Sequence, residues 1–163
     1  MKPTPSDWLD ALESELNALV TNAFGMPAVR AVARGVTPPA AMEGAYLGLA
    51  SSEGPIQVGL AASSAGCQAF ARALMSMEPD APPLSAADVA DAVCEIVNML
   101  SGGVQRRIRQ KFGLEFQLGL PIFFHGHVQP TERLGVAVGE VRIGDFPAAV
   151  LVLHPRTRST EGR

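Results

Sequence analysis

A chain of 163 residues and 17.1 kDa has room for one full-sized domain and too little for two. With 47% hydrophobic and 18% charged residues it carries the material for a core, which excludes wholesale disorder. A formal net charge of −3 and a pI near 5.6 speak against a nucleic-acid partner, and no apolar run nears the roughly 18 residues that span a bilayer, so no membrane partner is expected.

The opening Met1-Lys2-Pro3-Thr4-Pro5-Ser6-Asp7 lacks the apolar core of a signal peptide, which predicts a cytoplasmic protein. Cys67 and Cys94 form neither a disulfide framework nor a CxxC zinc pair, and are expected as free thiols.

A first helix is predicted from Ser6, whose hydroxyl suits an N-cap, with Trp8, Leu9, Leu12, Leu16, Leu19 and Val20 on its apolar face and an end at Gly25 and Pro27. Residues 28–43, with Gly35 and Pro38-Pro39, read as an irregular connection. Strands at 45–50 and 56–61 flank the polar loop 51–55 and predict a hairpin. Ser63 or Ser64 then caps a second helix carrying Cys67, Phe70, Leu74 and Met77, closed by Pro79 and Pro82-Pro83.

The third helix carries the strongest signal. Ser85 and Asp88 have the spacing of a capping box, an apolar series runs Val89, Val93, Ile96, Val97, Leu100, Val104, Ile108, and Gly113 supplies a stop. The cluster Arg106, Arg107, Arg109 and Lys111 falls at its end, where cations complement the helix dipole. Three strands are predicted after it, at about 115–125, 134–142 and 146–153, the last two joined by Gly144-Asp145. The order helix-strand-strand-helix-helix-strand-strand-strand is α+β, with helices on an antiparallel sheet. We assign one domain to 1–154 and expect 155–163 to be a disordered polar tail.

On the third helix the apolar series covers an arc of roughly 120°. Asp91, Glu95 and Asn98 fall opposite its middle at i, i+4, i+7, so their side chains stand on consecutive turns. Gly102, Gln105 and Arg109 continue the outer stripe. A polar stripe opposite a core face is what any surface helix has. Gly102-Gly103 is less ordinary, because glycine costs on the order of 1 kcal/mol per residue inside a helix. Glycine on the outer face lowers the relief beside Asn98 and lets another protein's backbone approach.

Asp91-Ala92-Val93-Cys94-Glu95-Ile96-Val97-Asn98, followed after 22 residues by Pro121, resembles the (Asp/Ser)-x3-Glu-x2-Asn-x22-Pro signature of the CheC/CheX/FliY phosphatases. From average residue usage, a chance match in a chain of this length is on the order of a few in a thousand. The run Glu-Ile-Val-Asn-Met-Leu-Ser-Gly is similar to the Glu-x-x-Asn-Met-x-x-Gly of CheX, and the element order is similar along nearly the whole chain. CheC carries two copies of the motif. Here the other asparagines, Asn17 and Asn22, have Ser14 and Leu19 three residues earlier in place of glutamate, so the single copy resembles CheX.

The resemblance implies a CheC-like fold and hydrolysis of the phosphoaspartate of a CheY-like receiver domain, with Glu95 and Asn98 catalytic. It implies Asp91 in docking or helix support, beside Gly102 and Gln105 on the partner-facing stripe, and Pro121 in a structural role near the site. No cofactor or metal is expected on this chain, since the receiver brings its own Mg2+. CheX-like proteins pair through their sheets, so a homodimer is expected, and a strand as apolar as Ala148 to Leu153 needs a cover. The alternative is a receiver-binding module of the same fold without turnover. His125 and His127, two apart with His154 as a third candidate, are expected as exposed histidines rather than a metal site, for lack of an acidic neighbour in the local sequence.

Overall fold

The computed structural model describes residues 1–40, 42–126 and 128–156. Helix α1 spans Pro5–Asn22. Its cap is Thr4 rather than Ser6: the Thr4 hydroxyl accepts from the Asp7 amide and the Asp7 carboxylate accepts from the Thr4 amide at 2.8 Å, a closed capping box. Pro5 supplies the helical φ at the first position, where no amide hydrogen is needed. Ser6 instead accepts from Arg34 through its hydroxyl.

Residues predicted as an irregular connection contain strand β1 (Val29–Gly35), followed by β2 (Glu43–Ser51) and β3 (Gly54–Ala62). β1 is an outer strand, exposed over most of its length, so it shows no alternation of apolar and polar residues. Helix α2 (Ser64–Leu74) is capped by Ser63, and α3 (Ala86–Phe112) by Ser85. The segment predicted as one strand over 115–125 is two short ones, β4 (Gln117–Leu118) and β5 (Ile122–His125), and β6 (Leu134–Ile143) and β7 (Phe146–Pro155) follow. The α+β architecture and the predicted order stand, with β1 added.

All strand pairs are antiparallel, in the order β1-β6-β7-β3-β2-β4, with β5 also on β2. The three helices pack on one face over Ala45, Leu47, Leu49, Val58, Leu60, Val150 and Val152. On the other face Ala61, Val136, Val138, Ala149 and Leu151 are buried beneath Met42, Phe124, Val128 and Leu153. The apolar strand 148–152 is therefore covered on both faces within one chain, which removes the structural reason for expecting a dimer through it. β7 runs two residues past the predicted end, and the Arg156 amide donates to the Arg133 carbonyl at 2.9 Å. The rest of the predicted tail, 157–163, lies outside the described residues.

Candidate functional site on helix α3

α3 follows the sequence pattern closely. Val89, Ala92, Val93, Ile96, Val97, Leu100, Val104 and Ile108 are buried, while Asp91, Glu95 and Asn98 are exposed. The Ser85 hydroxyl accepts from the Asp88 amide at 3.1 Å, but no return bond from Asp88 closes the expected box, which leaves its charge to favour the helix N-terminus. Gly113 ends the helix at φ 69°, in the left-handed region where glycine has no Cβ penalty. None of the Asp91, Glu95 and Asn98 side chains has a hydrogen bond or ion pair to another described residue. Their two carboxylates and one carboxamide are free to act on a partner.

The two glycines after the motif do different things. Gly103 is buried and faces α1, where a Cβ would collide with the Glu15 side chain. Gly102 faces outward: an added Cβ would meet nothing nearer than the Arg106 guanidinium, Nη1 at 3.9 Å. Only Gly102 fits the expected role of lowering the surface beside Asn98. Gln105 is half-buried and its amide donates to the Phe116 carbonyl at 2.6 Å, so it ties the chain after the helix back onto α3 rather than standing free for a partner.

Ser101 is the one fully buried polar side chain among the described residues, and its hydroxyl donates to the Val97 carbonyl at 2.7 Å. Cys94 is half-buried, and its thiol is pushed up first by burial and then by the Asp91 charge, which makes it a poor nucleophile. Pro121 falls at an irregularity in the outer strand. The Gly119 amide donates to the Gly48 carbonyl, and Ile122 opposes Tyr46, so Leu120 and Pro121 together face Leu47. This bulge divides β4 from β5 and leaves Leu120 85% exposed.

His125 has the acidic neighbour that its local sequence lacks. Glu43 lies opposite it in the β2–β5 ladder, with Nδ1 2.8 Å from the carboxylate. His154 lies over Gly135 at the far side of the sheet, and His127 is outside the described residues. Glu43 was invisible to the sequence reading because 82 positions separate it from His125 and only strand pairing joins them.

The fold and an exposed Asp-Glu-Asn stripe on a long helix define the class: an α+β protein with helices on an antiparallel sheet, whose candidate site lies on an open helix face rather than in a cleft. The family model of the chemotaxis phosphatase CheX matches residues 44–137, more than half of the sequence and the whole of α3. The chain belongs to the CheX family. A CheC-like superfamily protein from Shewanella sp. PV-4 is similar in structure, with a TM-score of 0.75 over 92% of this chain and 98% of its own, at 13% identity. The chemotaxis protein CheX from Desulfovibrio desulfuricans gives 0.72 over 91% and 99%, at 17% identity. A chain of the CheX–CheY–BeF3–Mg2+ complex from Borrelia burgdorferi gives 0.68 over 93% and 97%, at 15% identity. At these identities the structural likeness speaks for the fold alone. No curated protein matches the sequence significantly.

Proposed function

We propose that this protein hydrolyses the phosphoaspartate of a CheY-like receiver domain in chemotaxis or related two-component signalling. The observation that carries the reading is the motif itself: Glu95 and Asn98 stand exposed on one face of α3, their side chains without a partner among the described residues, in a chain of the CheX family. The solved CheX–CheY complex of a structural neighbour supports a receiver as partner.

Phosphoryl transfer to water needs positioning and charge neutralisation more than it needs covalent chemistry. In this reading the receiver supplies the phosphoryl group and the Mg2+, and the chain itself holds no metal. The Asn98 carboxamide has a donor and an acceptor and does not titrate near neutral pH, so it can hold the attacking water in line. Glu95 pairs with a cation on the receiver, which fixes the amide over the phosphoryl group. Asp91 supports docking, and Pro121 shapes the outer strand. The activity belongs to the cytoplasm. A homodimer rests on the family likeness alone, and a single monomeric species in sedimentation at micromolar concentration removes it.

Phosphate release from a phosphorylated receiver tests the reading. Asn98→Ala should lower kcat by about 10²-fold or more while leaving receiver binding nearly intact, because its contribution appears in the transition state. An unchanged kcat in Asn98→Ala removes Asn98 from the chemistry, and a wild type that does not speed phosphate release over the receiver alone overturns the phosphatase and leaves a binding module.

A further inference from the structure

The basic end of α3 is not uniform. Arg107 pairs with Glu15 of α1, Lys111 with Asp7 at 2.6 Å, and Arg109 with Glu115 at 3.0 Å. Arg106 has no ion pair or hydrogen bond to any described residue and is exposed. Its guanidinium lies back along the helix over Gly102, whose missing side chain leaves the path open. Long side chains on a helix lean toward its N-terminus, and here that direction leads to Asn98, two turns before Arg106. Beside it, a cavity of about 220 Å³ opens between α1 and α3, lined by Glu15, Ala18, Leu19, Met99 and Leu100 as well as by Arg106, with the Glu15 carboxylate engaged by Arg107.

We propose that Arg106 is a docking residue that takes a carboxylate of the receiver adjoining its phosphorylation site, with Gly102 as the clearance that lets the guanidinium and the partner's surface meet. This rests on the receiver reading above. Charge chooses the occupant: the other three cations of the cluster are each paired with a carboxylate of this chain, and Arg106 is the one without such a pair among the described residues, open to an acid from outside. Geometry chooses the role. Eight residues of helix place the Arg106 and Asn98 backbones about 12 Å apart, and the guanidinium reaches back about half of that. It therefore stops short of the group held by Asn98 and contacts the receiver beside the phosphoryl group, so it contributes to encounter and register rather than to the chemical step.

The test uses the full chain with CheY-like receivers of the same genome, loaded with beryllofluoride and Mg2+ for binding and phosphorylated for turnover. Arg106→Gln should raise both Kd and KM about three- to tenfold, lower kcat less than twofold, and flatten the dependence of Kd on salt. Arg106→Lys should recover part of the affinity. Gly102→Ala should raise Tm, because alanine is the better helix former and has space, and yet raise Kd. An Arg106→Gln variant with unchanged Kd or an unchanged salt slope overturns the proposal, as does Gly102→Ala with a higher Tm and an unaltered Kd. Failure of any receiver to bind the wild type overturns it too. Wild-type turnover separates the two readings: if the chain does not speed phosphate release over the receiver alone, the phosphatase fails, while the binding arms still judge Arg106.

Discussion

The Glu15 carboxyl group of α1 occupies the space that a Cβ on Gly103 of α3 would fill. From there it reaches Arg107, one turn further along α3, and forms an ion pair. Glycine in the middle of a 27-residue helix thus gives the Glu15 side chain its place in the antiparallel α1–α3 contact, in which Asp7 meets Lys111 and Glu15 meets Arg107.

That contact makes a measurable prediction. Gly103→Ala should change stability by less than about 1 kcal/mol, since the end of the flexible Glu15 side chain can swing aside and the helix propensity gained offsets its weakened pair with Arg107. In a Glu15→Ala background the same change should stabilise, by roughly the helix propensity gained. Thermal or urea unfolding of the four variants in a double-mutant cycle measures the coupling. Additive effects would refute the steric account.

The motif residues should separate by what they lose. Glu95→Gln keeps the size and removes the charge, so it should weaken receiver binding as well as rate, and high salt should reproduce part of that loss in the wild type. Asp91→Ala should do less than either Glu95→Gln or Asn98→Ala. Equal, small losses in all three, measured as kcat and KM for phosphate release, would speak for docking without chemistry.

The thiols should rank by environment. The Cys67 thiol is pushed up to about 12, first by burial and then by the Glu43 charge, while Cys94 is raised by burial and then by Asp91. In the native protein at about pH 8, a thiol reagent should leave Cys67 untouched and modify Cys94 slowly. Asp91→Asn should speed the Cys94 reaction, and denaturant should make both fast. Rapid native labelling of Cys67 would contradict its burial.

Asp7 links the cap to pH. Its carboxyl is held at about 2 instead of 3.8, chiefly by the hydrogen bond from Lys111 and then by those from Thr4. A depressed carboxyl stabilises the fold while it is ionised, so its contribution is complete above about pH 4 and is lost as the pH falls toward 2. The stability gap between wild type and Asp7→Asn should be widest near neutrality and close across that window. Thr4→Ala should cost about 1 kcal/mol at neutral pH through the lost cap. Melting curves from acid to neutral pH check both, and a gap that ignores pH would remove the Lys111 pair from the account.

Much of α3 was legible in the residues, because burial on one side of a helix and exposure on the other repeat with the helical period. Val93, Ile96, Val97 and Leu100 went inside and Asp91, Glu95 and Asn98 outside for that local reason, and Gly113 stopped the helix where the left-handed cap needs a glycine. The hairpin of β2 and β3 and the run of β6 into β7 were legible for the matching reason, apolar strands bounded by turn residues. Strand β1 was not, because an outer strand exposed along most of its length carries no alternation, and its partner β6 lies about a hundred positions away. Only the packing of distant elements decided the rest. Gly103 makes room for Glu15, Gln105 is taken by the Phe116 carbonyl, His125 finds Glu43, and Arg106 alone of its cluster is left unpaired among the described residues. Each of these depends on what stands opposite a residue across a helix contact, a chain reversal or a strand ladder, and local sequence holds no record of that neighbour.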